Sequence, residues 1–333
     1  MPTVLITPER LRDQPGPHLD LLRDAGFDVQ FPGNPLLARG LCSDEETIEE
    51  LKNIDATLAS TENYNQTVLA ALPELKVIAR TGVGYDRVDV PFATERRVAV
   101  CITPNSNHEA VAEVALGLMF ATSKAVVQND KRVRAGEWPR DILMPIRGRT
   151  LGIFGLGRIG RSTAIRAQSL GMRVIATEQF PDTAFVSERG IELVEFDQLL
   201  ERSDYLTIHA PLTDETRGLF NRDVFRKMKS GSVLINTARG PLVVEKDLCE
   251  FLQSGHLRAA GLDVFEREPP EADNPLFTLD NVVLSPHLAG ADETSSVAMS
   301  VEAADNIVKL SKHEWPVGAV INHVLQDNWS WER

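Results

Sequence analysis

The sequence predicts an α/β protein of two doubly wound domains, each a parallel sheet covered by helices. Three observations lead there. Short β-branched runs alternate with amphipathic stretches along most of the chain, the rhythm of βαβ units. The 333 residues exceed what one ordinary core needs and suit two domains of about 150 residues. The one complete GxGxxG fingerprint begins only at Gly155, so a second set of units starts in the latter half.

In the first half, residues 3–7 (TVLIT) read as a strand, 17–25 as a helix ending at Gly26, and 28–31 as the next strand. Ser43 opens a helix whose first turn holds Asp44, Glu45 and Glu46, acids that the positive end of the helix dipole favours. Residues 56–59 and 77–80 are further strands. A long helix is expected over 109–136, where apolar residues recur at helical spacing. Later strands are expected at 150–154, 173–177, 206–209, 232–237, 259–264 and 281–284. The expected helices between and after them are 159–169, 197–201, 222–228, 245–253 and 294–310. The tail from Asp327, polar with two tryptophans, reads as either a fraying end or an interface strap.

Composition narrows the function classes. Hydrophobic residues are 43% and charged ones 25%, which is globular rather than disordered. A net charge of −13 gives no electrostatic footprint for nucleic acid or an anionic membrane. Three scattered cysteines, Cys42, Cys101 and Cys249, make no disulfide framework and no metal-ligand cluster, and fit a reducing, cytoplasmic setting. The N-terminus shows no signal-peptide pattern, and no apolar run approaches a membrane span.

The fingerprint Gly155-Leu156-Gly157-Arg158-Ile159-Gly160 follows a β-branched strand and precedes a helical pattern, as a dinucleotide turn requires. Gly155 would make the tight turn, Gly157 would admit the pyrophosphate, and Gly160 would let helix and strand pack closely. Arg158 and Ile159 open the helix whose free N–H groups face the phosphates. Glu178 ends the next strand, at about the distance where an acid bonds the adenosine ribose hydroxyls and repels a 2′-phosphate, so the cofactor reads as NAD.

Four ordered blocks then carry a resemblance: HAPLT from His209, LINTARG from Leu234, GLDVFEREP from Gly261 and SPH from Ser285. With RTGVGYDRVD at 80–89 and TPNSNHEAVAE at 103–113, they resemble the D-isomer specific 2-hydroxyacid dehydrogenase family, of the 3-phosphoglycerate dehydrogenase type. The resemblance covers nearly the whole chain. It implies two Rossmann-like domains, the NAD-binding domain (105–289) being inserted into a discontinuous flavodoxin-like substrate domain (1–104 plus 290–333). It also implies an active site in the cleft between them.

The chemistry fits the residue types. Arg239 offers a planar fork for a carboxylate, His287 can exchange a proton near neutral pH, and Glu268 resembles the carboxylate that orients that imidazole. Glu266 reads as an exposed acid. By resemblance Asp263 would bind the nicotinamide carboxamide, and Ala210, Thr237 and Ala238 would also line the cofactor site. Gly82, Val83 and Gly84 could cradle a substrate carboxylate on backbone N–H groups. Asn107 could hold substrate or cap the long helix. Arg80 could be a second anion contact or pair with nearby acids, and His209 reads as structural.

Phosphoglycerate enzymes with a regulatory domain resemble V-R-S-x-T where this chain has Ala59-Ser60-Thr61-Glu62. Loss of the arginine and an acid close by are expected to disfavour a substrate phosphate. No regulatory domain is expected, and Val244 replaces an acid common after the arginine block. The partner is therefore expected to be a small 2-keto or 2-hydroxy acid, with the chain pairing as a homodimer or homotetramer through the long helix and an arm over 134–148. Trp138, Met144 and Ile146 would be the arm's apolar contacts. A non-catalytic NAD-sensing corepressor-like scaffold and a dehydrogenase of small anions such as phosphite or formate stay open as alternatives. A glutamate at 268 argues against the formate branch, where that position resembles glutamine.

Overall fold

The computed structural model describes residues 1–332. The chain divides into two compact units, Met1–Asn107 with the chain from Ala291 onward, and His108–Gly290.

The first unit holds strands β1 (Thr3–Ile6), β2 (Asp28–Gln30), β3 (Ala56–Ala59), β4 (Val77–Arg80) and β5 (Ala99–Cys101). All pair in parallel in the order β2-β1-β3-β4-β5, the flavodoxin-like order that was expected. Side chains alternate between its faces. Val4, Ile6, Leu58 and Ala79 join one core with Ala303 and Ile307 of the closing helix, while Leu5, Ala59 and Ile78 join the other. Burial on both faces explains why these strands read as continuous apolar runs.

Helices α1 (Pro17–Asp24), α2 (Asp44–Leu51), α3 (Gln66–Ala70) and α4 (Val90–Glu95) connect the strands. Ser43 caps α2 as expected: its hydroxyl accepts from Glu46 N at 3.2 Å, and the Glu46 carboxylate accepts from Ser43 N at 2.8 Å. The short β5, α3 and α4 were not expected, because a few residues show no period of their own.

The C-terminal tail is neither frayed nor free. Trp331 meets Phe27 edge-on at 5.5 Å, Trp329 lies between Trp315 and Trp331, and Trp329 Nε1 donates to the Arg97 carbonyl at 3.0 Å. It straps the first unit of its own chain.

The second unit opens with α5 (His108–Ser123) and α6 (Val126–Arg134), bent by 53°. The single helix expected over 109–136 is thus broken. Ala125 sits in the left-handed region at φ 48°, and Lys124 turns its ammonium to the Met144 carbonyl at 2.5 Å. Ala110, Ala112, Ala115, Leu118 and Met119 of α5 are buried. Among the described residues no single helix is long and apolar enough to cross a membrane.

Strands β6 (Thr150–Phe154), β7 (Arg173–Thr177), β8 (Glu192–Leu193), β9 (Tyr205–Ile208), β10 (Ser232–Asn236), β11 (Leu257–Leu262) and β12 (Val282–Leu284) follow. They pair in parallel in the order β12-β11-β10-β9-β6-β7-β8. This is the Rossmann order with one strand added, and its reversal of direction falls at β6 and β9. Helices α7 (Arg158–Ser169), α8 (Thr183–Arg189), α9 (Phe196–Arg202), α10 (Arg222–Lys227) and α11 (Glu245–Gln253) are the crossovers. The closing helix, α12 (Glu293–Ser311), returns the chain to the first unit. Helix α8 and strand β8 went unpredicted. Val244 stands at the N-cap of α11 without a side-chain cap bond, so the acid it replaces would sit where a cap acts.

The expected arm is corrected in part. Met144 and Ile146 are buried in the core of the second unit, whereas Trp138, Ile142 and Leu143 are exposed.

Candidate active site

Strand β6 runs directly into the glycine loop. Gly155 is left-handed at φ 97°, and a Cβ on it would lie 2.6 Å from the Ala210 nitrogen. A Cβ on Gly160 would lie 2.2 Å from the Gly155 carbonyl oxygen. Only glycine fits at these two positions, for the reasons the sequence suggested. Gly157 differs: a Cβ there would meet nothing within 4 Å, and as N-cap of α7 it provides no side-chain cap. The helix end with Arg158 and Ile159 is therefore left open to an anion.

Glu178 reaches back to this loop, accepting from Leu156 N at 2.6 Å and from Phe180 N at 2.9 Å. Ala210 is buried against Gly155, and the buried Thr237 Oγ1 has no partner among the described residues. An open helix end, a carboxylate beside the glycine turn and an orphaned hydroxyl fit a dinucleotide. His209 sits behind this wall with Nε2 at 3.0 Å from Thr207 Oγ1, and burial pushes its imidazole down to about 3.

Three further loops leave the same sheet edge. After β10, Asn236 accepts from Ala238 N at 3.0 Å and donates from its amide to the Arg239 carbonyl at 2.9 Å, fixing the Arg239 backbone. The Arg239 guanidinium donates to the Ala238 carbonyl at 2.6 Å. The next residue is pressed against the loop after β11: a Cβ on Gly240 would lie 1.7 Å from the Phe265 carbonyl oxygen. Glu268 Oε1 accepts from Phe265 N at 3.0 Å. Glu266, expected to be merely an exposed acid, makes reciprocal bonds between its own backbone and carboxylate and those of Glu245, at 2.5 and 3.3 Å.

After β12 the chain turns through His287, which is left-handed at φ 55°. Its Nδ1 lies 2.7 Å from Glu268 Oε2. An ionised carboxylate can only accept, so Nδ1 carries the proton and Nε2 is left for other chemistry. Burial pushes the Glu268 carboxyl up, but the hydrogen bond and charge of His287, the Phe265 N–H and the Arg239 charge together hold it below its ordinary value. The structure thus brings Arg239, Glu268 and His287 together within the second unit.

Asp263 is fully buried, and its carboxylate accepts from Leu288 N at 3.0 Å and Ala289 N at 2.8 Å. The sequence reading gave this residue to the carboxamide of the nicotinamide; here both oxygens hold the His287 loop. Asn236 was missed altogether. Its signal was a lone amide ending an apolar strand.

In the first unit, the backbone N–H groups of Gly82, Val83 and Gly84 donate to no other group among the described residues, which leaves them available as an anion cradle. Asn107 is 7% exposed, and its amide oxygen has no partner among the described residues, so it caps no helix. Glu62 is a correction. Instead of facing a substrate it is 1% exposed and accepts from Thr7 Oγ1 at 2.7 Å, Tyr64 Oη at 3.0 Å and Ser60 N at 2.9 Å.

Residues 116–289 match the family model described as D-isomer specific 2-hydroxyacid dehydrogenase, NAD binding domain. A glyoxylate reductase of Korarchaeum cryptofilum is 39% identical over 286 residues, covering 84% of this chain and 86% of that protein. A D-3-phosphoglycerate dehydrogenase of Archaeoglobus fulgidus is 38% identical over 297 residues, covering 88% of this chain; the chain spans only 55% of that protein's length. The crystal structure of D-lactate dehydrogenase from Aquifex aeolicus, complexed with NAD and lactic acid, superposes with a TM-score of 0.83 at 26% identity, covering 96% of this chain and 98% of that one. With its glycine turn and its arginine, glutamate and histidine in the order of the signature blocks, the chain belongs to the D-isomer specific 2-hydroxyacid dehydrogenase family.

Proposed function

We propose that the protein is an NAD-dependent reductase of small, unphosphorylated 2-keto acids, working reversibly on the D-2-hydroxy acids. The observation that carries this reading is the Glu268–His287 contact of 2.7 Å, with Arg239 close enough to bias the same carboxylate. It gives one proton donor and one fixed cation, which carbonyl reduction needs.

When bound, the nicotinamide supplies or accepts the hydride. In reduction, Arg239 binds the substrate carboxylate with its planar fork and draws charge toward the carbonyl oxygen. The proton on His287 Nε2 passes to that oxygen as the C–H bond forms at carbon, leaving the hydroxy acid and a neutral imidazole. Glu268 stabilises the imidazolium beforehand and keeps its Nε2 edge directed at the substrate. Within the first unit, the Gly82, Val83 and Gly84 N–H groups and the Asn107 amide are groups suited to an acid's carboxylate and polar tail.

The case against a phosphorylated substrate rests on Ala59, which is buried and uncharged, and on Arg80, whose charge acts on Glu62. The glyoxylate reductase named above, matched over most of its length, supports the same choice. NADH oxidation against glyoxylate, hydroxypyruvate, pyruvate, phenylpyruvate and phosphohydroxypyruvate tests it. Hydroxypyruvate or glyoxylate should be turned over best. Preference for the phosphorylated acid, or no turnover of any, overturns the reading and returns attention to a scaffold or small-anion role.

The chain is further proposed to act as a homodimer. Val126, Val127, Val133, Trp138 and Ile142 are exposed on α6 and the arm, a concentration of apolar surface that a second copy would cover. Light scattering at micromolar concentration should give twice the 36.8 kDa chain mass; a monomer mass rejects it.

A further inference from the structure

The loop after β11 carries Glu268, yet its backbone has little support of its own. Among the described residues, no backbone–backbone hydrogen bond reaches residues 266–270. Among the same residues, the one hydrogen bond this stretch of backbone makes runs from Glu266 N to Glu245 Oε1, at 2.5 Å. The second oxygen, Glu245 Oε2, accepts from Asn274 Nδ2 at 2.9 Å. A single carboxylate thus takes a donor from each end of the loop, and Glu268 lies between the two.

Both supports of that clasp are themselves fixed. Glu245 is the first residue of α11, whose N-cap Val244 has no side-chain acceptor. The Glu266 carboxylate fills the gap, accepting from Glu245 N at 3.3 Å. That N–H is one of the four at a helix start without an intrahelical partner, and an acid beside it suits the helix dipole. The two glutamates therefore form a reciprocal cap, of the kind usually made within one segment, across two. Deeper in, Leu248, Cys249 and Leu252 of α11 share a core with Leu276. Asn274 starts the short turn Pro275–Thr278 by accepting from Leu276 N at 2.9 Å.

We propose that Glu245 is a positioning residue for the reaction: by clasping Glu266 and Asn274 it fixes the loop from which Glu268 reaches His287. The Glu268 side chain has two contacts of its own, Phe265 N at 3.0 Å and His287 Nδ1 at 2.7 Å. Both require the backbone at 268 to be in place, and an ionised acceptor holds a backbone N–H more firmly than a neutral one. A shift of about 1 Å in a group at the chemistry can cost a large factor in rate. The inference rests on the proposed role of Glu268, so its test has a readout that needs no activity.

Amide hydrogen exchange should compare the parent with Glu245→Ala. The Glu266 amide loses its acceptor outright, so the informative amide is that of Phe265, whose acceptor is Glu268 itself. Its exchange should quicken by about tenfold while β6, β9 and α7 stay unchanged. In the assay, kcat for reduction should fall about tenfold, with KM for NADH within about threefold. In a Glu268→Ala background the same substitution should cost no more than about twofold, because Glu245 acts only through Glu268. In an Arg239→Ala background it should cost the full factor. Should Glu245→Ala fail to fold, Glu245→Gln tests the same link: it keeps an acceptor for only one of the two donors, and should shift both readouts by about threefold. Unchanged exchange at Phe265, an equal loss of kcat in the Glu268→Ala background, or a raised KM for NADH with kcat unaltered overturns the proposal. A parent that reduces no keto acid fails the functional reading alone, and the exchange result still decides the positioning.

Discussion

Asp263 holds His287 from the strand below it: its carbonyl oxygen accepts the His287 N–H at 2.7 Å while its carboxylate takes the next two backbone N–H groups. A histidine at φ 55° occupies a conformation that side chains adopt at some cost, and such residues persist where their surroundings over-determine them. Three hydrogen bonds from one buried residue do that here.

Asp263→Asn should therefore act on proton transfer. Its amide nitrogen cannot accept from a backbone N–H, so one of the Leu288 and Ala289 amides is left facing a donor. We expect kcat to fall about 10- to 100-fold in both directions, the usual penalty for removing an outer-shell partner. A variant with unchanged kcat and a raised KM for NADH alone would make Asp263 a cofactor contact and nothing more.

Cofactor choice should depend on Glu178. Its carboxylate lies 2.6 Å from the Leu156 nitrogen, beside the glycine turn where an adenosine ribose would lie. One charge repulsion of about 1.4 kcal/mol is enough for a tenfold preference, so kcat/KM with NAD should exceed that with NADP by at least this factor. Glu178→Ser should narrow the ratio. Equal use of the two cofactors by the parent would show that the acid does not face the ribose.

Much of this was legible in the sequence because it is local. The glycines at 155 and 160 follow from steric necessity at a strand–turn–helix corner, and their contacts at 2.6 and 2.2 Å are what that necessity looks like in space. Parallel strands buried on both faces appear as unbroken apolar runs, so most were found. What was not legible depends on tertiary surroundings. Glu62 was read as an acid close to the substrate, and only the donors Thr7, Ser60 and Tyr64 around it reveal a buried one. Met144 and Ile146 looked like part of an interface because apolar character does not say which side it faces. The break at Ala125 leaves no glycine or proline to announce it. Asn236 and Asp263 act through backbone amides of loops, a role that residue type alone does not specify.

Acid stability should reflect His209. Burial holds its imidazole at about 3 against an ordinary 6.5, so it stays neutral in the folded chain while the unfolded chain takes up a proton. The stability this residue contributes is complete above pH 6.5 and is lost progressively as pH falls toward about 3. His209→Asn removes the titration. The urea midpoint of the parent should drop between pH 7 and 5 by more than that of the variant; parallel losses would mean that other groups dominate this window.

The last prediction concerns Glu268. Its folded carboxyl is held below the ordinary 4.5: burial works against ionisation, and the hydrogen bond and charge of His287 lead the opposing contributions. A lowered carboxylate adds stability that is present above pH 4.5 and disappears as pH falls through the folded value. Glu268→Gln should be flat in that interval. The same substitution separates structure from catalysis, because glutamine can still accept from His287 Nδ1 while carrying no charge. The imidazolium then loses its counter-charge, so proton donation to the keto acid is weakened. The reductive rate should fall about tenfold or more, and the oxidative reaction, which uses the neutral imidazole, should lose less. His287→Ala should depress both directions at every pH, and Arg239→Ala should also weaken keto-acid binding. A folded, NADH-binding Glu268→Gln variant whose reductive profile matches the parent would reduce the 2.7 Å contact to a structural one, leaving His287 and Arg239 to carry the chemistry.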